Sequence, residues 1–354
     1  MAGIVVGIVL LILAGVVVAV FRSHRPSRRA KAAVSLEARP APMPPAAPVP
    51  PPASKPAVVT AAPPVAPPDD VLPDEPLTIV TQRFQPQAFQ NYLEGVDATD
   101  GDSLPFGFIL VSAVGRTDVG RRRKHNEDSY LALAEEHLFA VADGMGGHAA
   151  GEVASAIAVE TMLSTFRAGV FPGSPSAERP RRADELVRSI EAANLAIFEQ
   201  AEKNPEQAGM GTTIVAARFA PSRQRVFIAH AGDSRCYRLR DGEFTMLTQD
   251  HTMSAWGVGG REGEKLTRAL GVASTIEVDV AEDAPLAGDQ YLLCSDGLSK
   301  MLPDDGIAAV LKAHKEPEEA VRKLIEAANE RGGRDNITAI VIQVHETASF
   351  GSGS

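Results

Sequence analysis

Proline is concentrated in one segment of this 354-residue chain, and that segment decides where a folded core can lie. Of the 26 prolines, 15 fall between Pro40 and Pro76. A stretch this rich in proline cannot bury enough apolar surface to offset the conformational entropy lost on ordering. We therefore expect residues 22–103 to form a disordered Pro/Ala-rich linker. Docking of a partner by its paired prolines is the less common alternative. The remaining length allows one large domain, 104–346, and a disordered tail, 347–354.

An uninterrupted apolar run from Ile4 to Phe21 precedes the linker. At ~1.5 Å per residue it just spans a hydrocarbon core of ~30 Å, which predicts a transmembrane helix over 4–21. The alternative, a cleaved secretory signal, needs positive charge before the run, and residues 1–3 carry no charged side chain. Basic residues follow the run instead: Arg22, Arg25, Arg28, Arg29 and Lys31. The positive-inside rule therefore predicts a single-pass protein of the cell (inner) membrane with its domain in the cytoplasm.

Acidic residues outnumber basic ones by 45 to 35, and 36 of the acids with 27 of the bases lie from Leu104 onward. This balance disfavours a nucleic-acid partner, because binding to the phosphate backbone needs a concentrated basic face. The two cysteines, Cys236 and Cys294, are too few for a disulfide framework and lie in apolar runs. We expect both to be buried free thiols in a reducing compartment.

Strand-like runs and two blocks of helical periodicity fill the chain after residue 104. Strands are predicted at 106–115, 137–142, 211–219, 226–231, 236–239, 244–247, 291–295 and 336–344, with a hairpin turn at Asp241-Gly242. The helical spacing of Val153, Ile157, Glu160 and Leu163 predicts one helix, and the apolar stripe of Leu186, Ile190, Ala193 and Ile197 predicts a second. A third helix is predicted over 318–330. This order predicts an α+β domain in which helices cover largely antiparallel sheets.

Acidic residues recur at strand ends or in the adjoining turns, each beside glycine or asparagine. They are Glu127-Asp128, Asp143, Asp296 and Asp335. Oxygen ligands of this kind suit hard divalent cations, and acids that converge on one point repel each other unless a metal neutralises them. Any single Asp-Gly is more often a turn, so the prediction of a two-metal hydrolytic site rests on their conjunction.

Eight short motifs then occur in one order. They are Thr117-Asp118-Val119-Gly120 with Arg123-x-x-Asn126-Glu127-Asp128, Asp143-Gly144-Met145-Gly146-Gly147, Gly211-Thr212-Thr213, Gly232-Asp233-Ser234-Arg235, Asp250-His251-Thr252, Arg268-Ala269-Leu270-Gly271, Ser295-Asp296-Gly297 and Asp335-Asn336. From Phe106 to His345 this series resembles the metal-dependent protein phosphatases of the protein phosphatase 2C family in their bacterial form. The resemblance implies an α-β-β-α sandwich of two stacked antiparallel sheets flanked by helices, with a binuclear Mn²⁺ or Mg²⁺ centre at one end.

The resemblance also implies a role for each matching residue. Asp143 corresponds to the carboxylate that bridges both metals, and the Gly144 carbonyl to the backbone ligand. Asp296 and Asp335 correspond to ligands of one metal, Glu127 to a ligand of the other, Asp128 to the residue that orients the metal-bound water, and Arg123 to the arginine that holds the substrate phosphate. A planar guanidinium suits that last task, because it binds phosphoryl oxygens in pairs. Asp233 corresponds to a ligand of a third, weaker ion; the alternative is a tight turn whose carboxylate caps backbone amides.

The implied function is a membrane-anchored phosphatase that removes phosphate from serine and threonine on proteins phosphorylated by a Ser/Thr kinase. Two cations about 3.5–4 Å apart would activate a water for in-line attack on phosphorus. A nucleophilic role for Cys294 or Ser295 is the weaker alternative, since neither has a histidine nearby in the sequence. A catalytically silent phosphoprotein-binding module at the membrane is the alternative from another functional class.

The sequence departs from the family at two places. Some members carry a histidine, a candidate general acid, where Met145 stands here, so we expect a metal-bound water to protonate the leaving group, with His148 as the alternative donor. Only 15 residues separate Thr252 from Arg268, a shorter and glycine-rich flap. This flap weakens the prediction of a third metal and of substrate selection by the flap.

Overall fold

The structure is a computed structural model, and it describes residues 109–146 and 150–346. The predicted helix 4–21, the linker 22–103 and the tail 347–354 lie outside these residues, as do the first residues of the predicted domain and His148. Among the helices of the described ranges, none combines the length and apolarity needed to cross a membrane. The predicted domain boundaries stay predictions.

Eleven strands and six α-helices are found in the described ranges. The strands are β1 Ile109–Asp118, β2 Asp128–Leu133, β3 Leu138–Met145, β4 Gly211–Thr212, β5 Ile214–Ala220, β6 Arg225–Ala231, β7 Arg235–Arg240, β8 Glu243–Met246, β9 Asp279–Asp283, β10 Gln290–Cys294 and β11 Ile337–Glu346. The helices are α1 Ala150–Ala168, α2 Arg181–Lys203, α3 Gly260–Gly263, α4 Asp296–Ser299, α5 Asp304–Ala313 and α6 Pro317–Glu330.

The strands form two antiparallel sheets. One has the order β1-β11-β10-β7-β8, and the other has the order β2-β3-β5-β6-β9 with the short β4 beside β3. The β7–β8 hairpin turns at Asp241 and Gly242, whose φ angles of 49° and 84° are the left-handed values of a type I′ turn. The predictions of antiparallel sheets and of this hairpin are confirmed.

Strand β3 shows why the sheets stack, because both of its faces are buried. Phe139 and Val141 point into the apolar layer between the sheets, whereas Leu138, Ala140 and Ala142 point to the helical layer. Between the sheets, Phe219 of β5 packs edge to face on Tyr291 of β10, with ring centroids 5.4 Å apart. Each such fully buried side chain contributes roughly 1.5–3 kcal/mol to stability.

Helices cover the outer face of each sheet, which confirms the predicted α-β-β-α sandwich. Helices α1 and α2 lie on the β2-β3-β5-β6-β9 sheet, and α4, α5 and α6 lie on the other. The predicted stripe of α2 is buried throughout: Leu186, Ile190, Ala193 and Ile197.

The helix predicted from the spacing of Val153, Ile157, Glu160 and Leu163 is present as α1, but other residues form its buried face. The buried face of α1 carries Ala154, Ala158, Met162 and Phe166, while Val153, Ile157 and Leu163 are only partly buried and Glu160 is exposed. Ala154 and Ala158 let the first half of the helix approach the sheet closely, so Val153 and Ile157 flank the contact there.

Candidate active site

Six carboxylates meet at one end of the sandwich because antiparallel neighbours bring strand starts beside strand ends. Asp143 lies near the end of β3, Asp233 follows β6 and Asp296 follows β10, while the start of β2 and the segment before β11 supply the other members. Those are Glu127, Asp128 and Asp335. Asp128 and Asp143 are direct partners in the β2–β3 ladder, so their side chains share one face.

The cleft at this end has a volume of about 270 Å³. Its lining includes Asp143, Asp296, Asp335, Glu127, Asp233, Gly144, Met145, Arg123 and Lys300, together with Glu264 and Leu266 from the flap. All the predicted site residues except Asp128 therefore line one cleft, and Asp128 lies beside it. The roles assigned to them stay predictions.

Gly144 allows the backbone of β3 to come close to two other segments. Its amide donates a hydrogen bond to the Glu127 carbonyl at 3.0 Å. A Cβ atom at residue 144 would lie 2.1 Å from the Gly151 carbonyl oxygen and 2.5 Å from that of Glu127. No side chain fits between them, which explains why a glycine follows Asp143.

Asp128 is buried and only partly satisfied. Its Oδ2 accepts hydrogen bonds from Ser295 Oγ at 2.8 Å and Thr338 Oγ1 at 2.7 Å. Its Oδ1 is buried with no hydrogen-bond partner in the described residues. Burial raises the pKa of Asp128 to about 7, against the opposing effect of the two hydroxyl hydrogen bonds. A buried carboxylate oxygen without a partner indicates a site for a further polar group or ion.

Asp143 is surrounded by other acids. Burial, and then the negative charges of Asp128, Asp296, Asp233 and Asp335, raise its pKa well above the usual value. Such a set loses its repulsion when cations bind it, and its oxygen donors are those that Mn²⁺ and Mg²⁺ prefer. The residues present thus fit divalent metal ions.

Arg123 lies across two of the predicted metal ligands. Its Nε and Nη2 pair with the two carboxylate oxygens of Asp335, each at 2.9 Å, and its Nη1 lies 3.2 Å from Glu127 Oε2. The side chain is 45% exposed, so it can leave these partners for a substrate phosphate at low cost. The sequence predicts the phosphate role but not the pairing with ligands.

Lys300 also lines the cleft, although the sequence motifs did not predict it. Its Nζ contacts Asp296 Oδ2 and lies 3.5 Å from Asp233 Oδ2. One helical turn, α4, separates Asp296 from Lys300, so side chains four residues apart share a face. The i, i+4 spacing of Asp296 and Lys300 in the sequence is the signal from which their contact could have been predicted.

Asn336 is the second residue whose role the sequence analysis missed. Its Oδ1 accepts the Glu127 amide at 2.9 Å, and its Nδ2 donates to the Val119 and His125 carbonyls at 3.0 and 2.9 Å. Asn336 therefore fixes the loop that carries Arg123 and Glu127 against the start of β11.

The motifs around Asp233 hold its turn in place. Arg235 pairs with both carboxylate oxygens of Asp250, at 2.9 and 2.7 Å. The His251 amide donates to the Gly232 carbonyl at 2.9 Å, and the Gly232 amide donates to His251 Nδ1 at 3.2 Å. These bonds explain why Gly232-Asp233-Ser234-Arg235 and Asp250-His251-Thr252 occur together.

His251 belongs to a second polar cluster, in which His230, His251 and Asp279 have ligand atoms within 4.8 Å of one another. Arg268 contacts Asp279 and lies 3.2 Å from His251 Nε2, so this cluster already contains a cation.

The alternative nucleophiles do not fit their surroundings. Both cysteines are buried free thiols, as expected, and burial raises the pKa of Cys294 to about 12, which disfavours the thiolate. Ser295 is also buried, and its Oγ donates to Asp128. A carboxylate in that position orients the hydroxyl as a donor, and no histidine is among its hydrogen-bond partners in the described residues.

Comparison with known proteins matches this chain to a family model described as protein phosphatase 2C over residues 119–340. The serine/threonine protein phosphatase PstP of Mycobacterium tuberculosis is 39% identical over 247 residues, which cover 67% of this chain and 45% of PstP. This chain thus spans under half the length of that relative. The serine/threonine phosphatase stp of Listeria innocua is 37% identical over 246 residues, covering 64% of this chain and 94% of stp.

A solved structure has the same fold as the described domain. The catalytic domain of serine/threonine protein phosphatase PstP, in complex with two manganese ions, matches with a TM-score of 0.59 and 38% identity. The match covers 67% of this chain and all of that domain. The family resemblance and the predicted fold of the domain are confirmed.

Proposed function

Because this chain belongs to the protein phosphatase 2C family, we propose that it hydrolyses phosphoserine and phosphothreonine on proteins that a Ser/Thr kinase has phosphorylated. One observation carries the proposal: every predicted metal carboxylate reaches one cleft, where an arginine half exposed to solvent lies beside them. A silent binding module would not need this full set, and no contact in the described residues favours that alternative.

We assign two metal ions, Mn²⁺ or Mg²⁺, to the cleft, held by Asp143, Asp296, Asp335, Glu127 and the Gly144 carbonyl. When bound, the ions would neutralise the phosphate charge and activate a water for attack on phosphorus. Support comes from the two manganese ions in the PstP catalytic domain and from the raised pKa of Asp143, whose burial among acids is relieved by a cation.

The chain's own residues supply orientation and charge around the substrate. Arg123, released from Asp335, offers two parallel N–H groups to phosphoryl oxygens. Asp128 keeps one oxygen fixed by Ser295 and Thr338, so its unpaired Oδ1 has a defined direction from which to accept a hydrogen bond. Met145 has no ionisable group, so it cannot donate a proton to the leaving alkoxide.

The test is phosphate release from a phosphothreonine peptide by the full chain purified in detergent. We expect turnover with Mn²⁺ or Mg²⁺, loss of turnover after chelation and recovery when metal returns. The same peptide with phosphotyrosine controls for residue class and should be a poor substrate. Turnover that survives chelation, or none with any divalent ion, would contradict the proposal.

We also propose that the chain is a single-pass protein of the cell membrane with its phosphatase domain in the cytoplasm. The apolar run 4–21 and the basic residues after it support this orientation. Protease added to intact spheroplasts that express the chain should leave the domain uncut, and detergent should expose it to cleavage. Cleavage without detergent would show that the domain is exported.

A further inference from the structure

Lys300 occupies a position between two carboxylates that come from different strands. Asp233 follows β6 and Asp296 follows β10, and the Lys300 ammonium contacts Asp296 Oδ2 while lying 3.5 Å from Asp233 Oδ2. The side chains of Asp233 and Asp296 are 8% and 16% exposed, and that of Lys300 is 47% exposed. The ammonium is thus the positive charge that bridges two largely buried acids.

Two neighbouring buried carboxylates repel each other unless a cation lies between them. Either a divalent metal ion or the ammonium group of a lysine can supply that positive charge. The fixed ammonium has an advantage, because it is tethered one helical turn from Asp296 and its effective concentration does not depend on the metal supply. Its contact with Asp296 is through Oδ2, so a proposed metal could be bound through Oδ1.

The surroundings are otherwise suited to a further divalent ion. The flap places Glu264 in the same cleft, so carboxylates come from the β6 turn, the α4 turn and the flap. Carboxylate oxygens from these segments would favour Mn²⁺ if the space between Asp233 and Asp296 held no other cation.

We propose that the Lys300 ammonium takes the place of a third metal ion beside Asp233, so that this phosphatase binds two exchangeable ions. This inference rests on the proposed two-metal function. It makes Lys300 a positioning residue, which holds Asp233 and Asp296 through a fixed charge, and it predicts that removal of that charge creates a third site.

The test counts bound Mn²⁺ on the metal-free full chain by equilibrium dialysis, with free Mn²⁺ measured by electron paramagnetic resonance. We expect two ions on the wild type and three on Lys300→Met, whose side chain has similar length without charge. Adding Asp233→Asn to Lys300→Met should return the count to two, because the third ion would lose a ligand. Lys300→Arg keeps the charge and should bind two.

Lys312→Met is the matched control, since Lys312 is an exposed lysine of the nearby α5 and should leave the count at two. If Lys300→Met does not fold, as judged by far-UV circular dichroism, then Lys300→Gln serves for the same count. Three ions on the wild type, or two on both neutral variants, would overturn the inference. The count does not require turnover, so a chain that binds two ions and hydrolyses nothing contradicts only the proposed function.

Discussion

Strand β10 has a carboxylate near each end, and the two are balanced in different ways. Before its first residue, Asp289 is 1% exposed and pairs with Arg240 through both oxygens, at 2.8 and 2.6 Å. After its last residue, Asp296 lies in a cleft with five other acids and the two cations Arg123 and Lys300. The charge of Asp289 is therefore neutralised within the protein, whereas the cleft around Asp296 keeps an excess of negative charge.

Two other carboxylates, Asp283 of β9 and Asp143 in the cleft, have pKa values that are shifted in opposite directions. Burial alone would raise the pKa of Asp283, which lies near Asp289, but hydrogen bonds from Tyr291 and Arg238 outweigh burial and lower it. At the cleft, burial raises the pKa of Asp143, and neighbouring acids raise it further. The paired end therefore stabilises the fold, whereas the cleft gives up stability in the metal-free protein and gains a binding site for cations.

The largest effect should come from the cleft. Asp143→Asn removes the carboxylate assigned to both metals, and we expect turnover of a phosphothreonine peptide to fall by about 10³-fold or more, on the order of 4 kcal/mol. Steady-state kinetics across a wide Mn²⁺ range measures this loss. Activity within about tenfold of wild type at saturating Mn²⁺ would show that Asp143 does not hold the metals.

The opposite end of β10 should respond in stability and not in chemistry. Asp289→Asn leaves the Arg240 guanidinium without its charged partner, and we expect a loss of about 2–4 kcal/mol in the free energy of unfolding, because breaking a buried pair strands a charge. Urea unfolding of the metal-loaded chain measures it, with the exposed Glu202→Gln as control. The kcat of the folded fraction should not change, and a large fall in kcat would break the division between the two ends.

Arg123 contacts two of the acids assigned to the metals, Glu127 and Asp335, so its role must be separated from theirs. Arg123→Ala should reduce kcat/KM for phosphopeptides by about 1.5–3 kcal/mol, roughly 10- to 150-fold, through loss of charge-assisted hydrogen bonds. Its Mn²⁺ affinity should equal or exceed that of wild type, because the ion no longer competes with a guanidinium for Asp335.

The matched variant is Asp296→Asn, which should weaken Mn²⁺ binding directly and regain activity only at higher metal concentration. Calorimetric titration of Mn²⁺ into both variants separates the two roles. If Arg123→Ala loses metal as severely as Asp296→Asn does, then Arg123 maintains the metal site and its assignment to the phosphate is wrong.

Local patterns in the sequence were sufficient for the sandwich and for most of the site. The stripe of α2 follows from a period of 3.6 with one buried face, whereas the strands that lead to Asp143 and Asp296 are continuous apolar runs because each of their two faces meets a separate apolar layer. Antiparallel pairing then brings the strand-end acids together. Strand β9, Asp279–Asp283, was not predicted, since three acids in five residues give no strand-like alternation of apolar side chains.

The residues that were missed depend on contacts between distant segments. Asn336 acquires its role only when β11 meets the loop near Glu127, 209 residues earlier in the chain. The spacing from Asp296 to Lys300 is visible in the sequence, but the approach of Lys300 to Asp233 depends on the turn after β6 lying beside α4. Sequence periodicity does not predict contacts of this kind, because they depend on how whole strands pack against one another.

The smallest effect concerns the acid dependence of the metal-free chain. Burial raises the pKa of Asp128 to about 7 and that of Asp233 to about 6, above the usual value of 3.8. Between about pH 4 and 7 these two carboxylates therefore bind more protons in the folded state than in the unfolded state, and their contribution to stability should fall as pH rises. His137 opposes this trend, because burial and nearby arginines lower its pKa to about 4, which makes stability rise with pH over the same interval.

The contribution of the cleft is isolated by the difference between metal-free wild type and metal-free Asp143→Asn, in which His137 cancels. We expect the variant to gain about 2–6 °C in thermal midpoint relative to wild type as pH rises from 5 to 7.5, since one of the repelling acids is gone. Saturating Mn²⁺ should reverse the order, because only the wild type retains the full ligand set. A metal-free variant that is no more stable than wild type at pH 7.5 would show that the excess charge of the cleft costs the fold nothing, and the contrast between the two ends of β10 would fail.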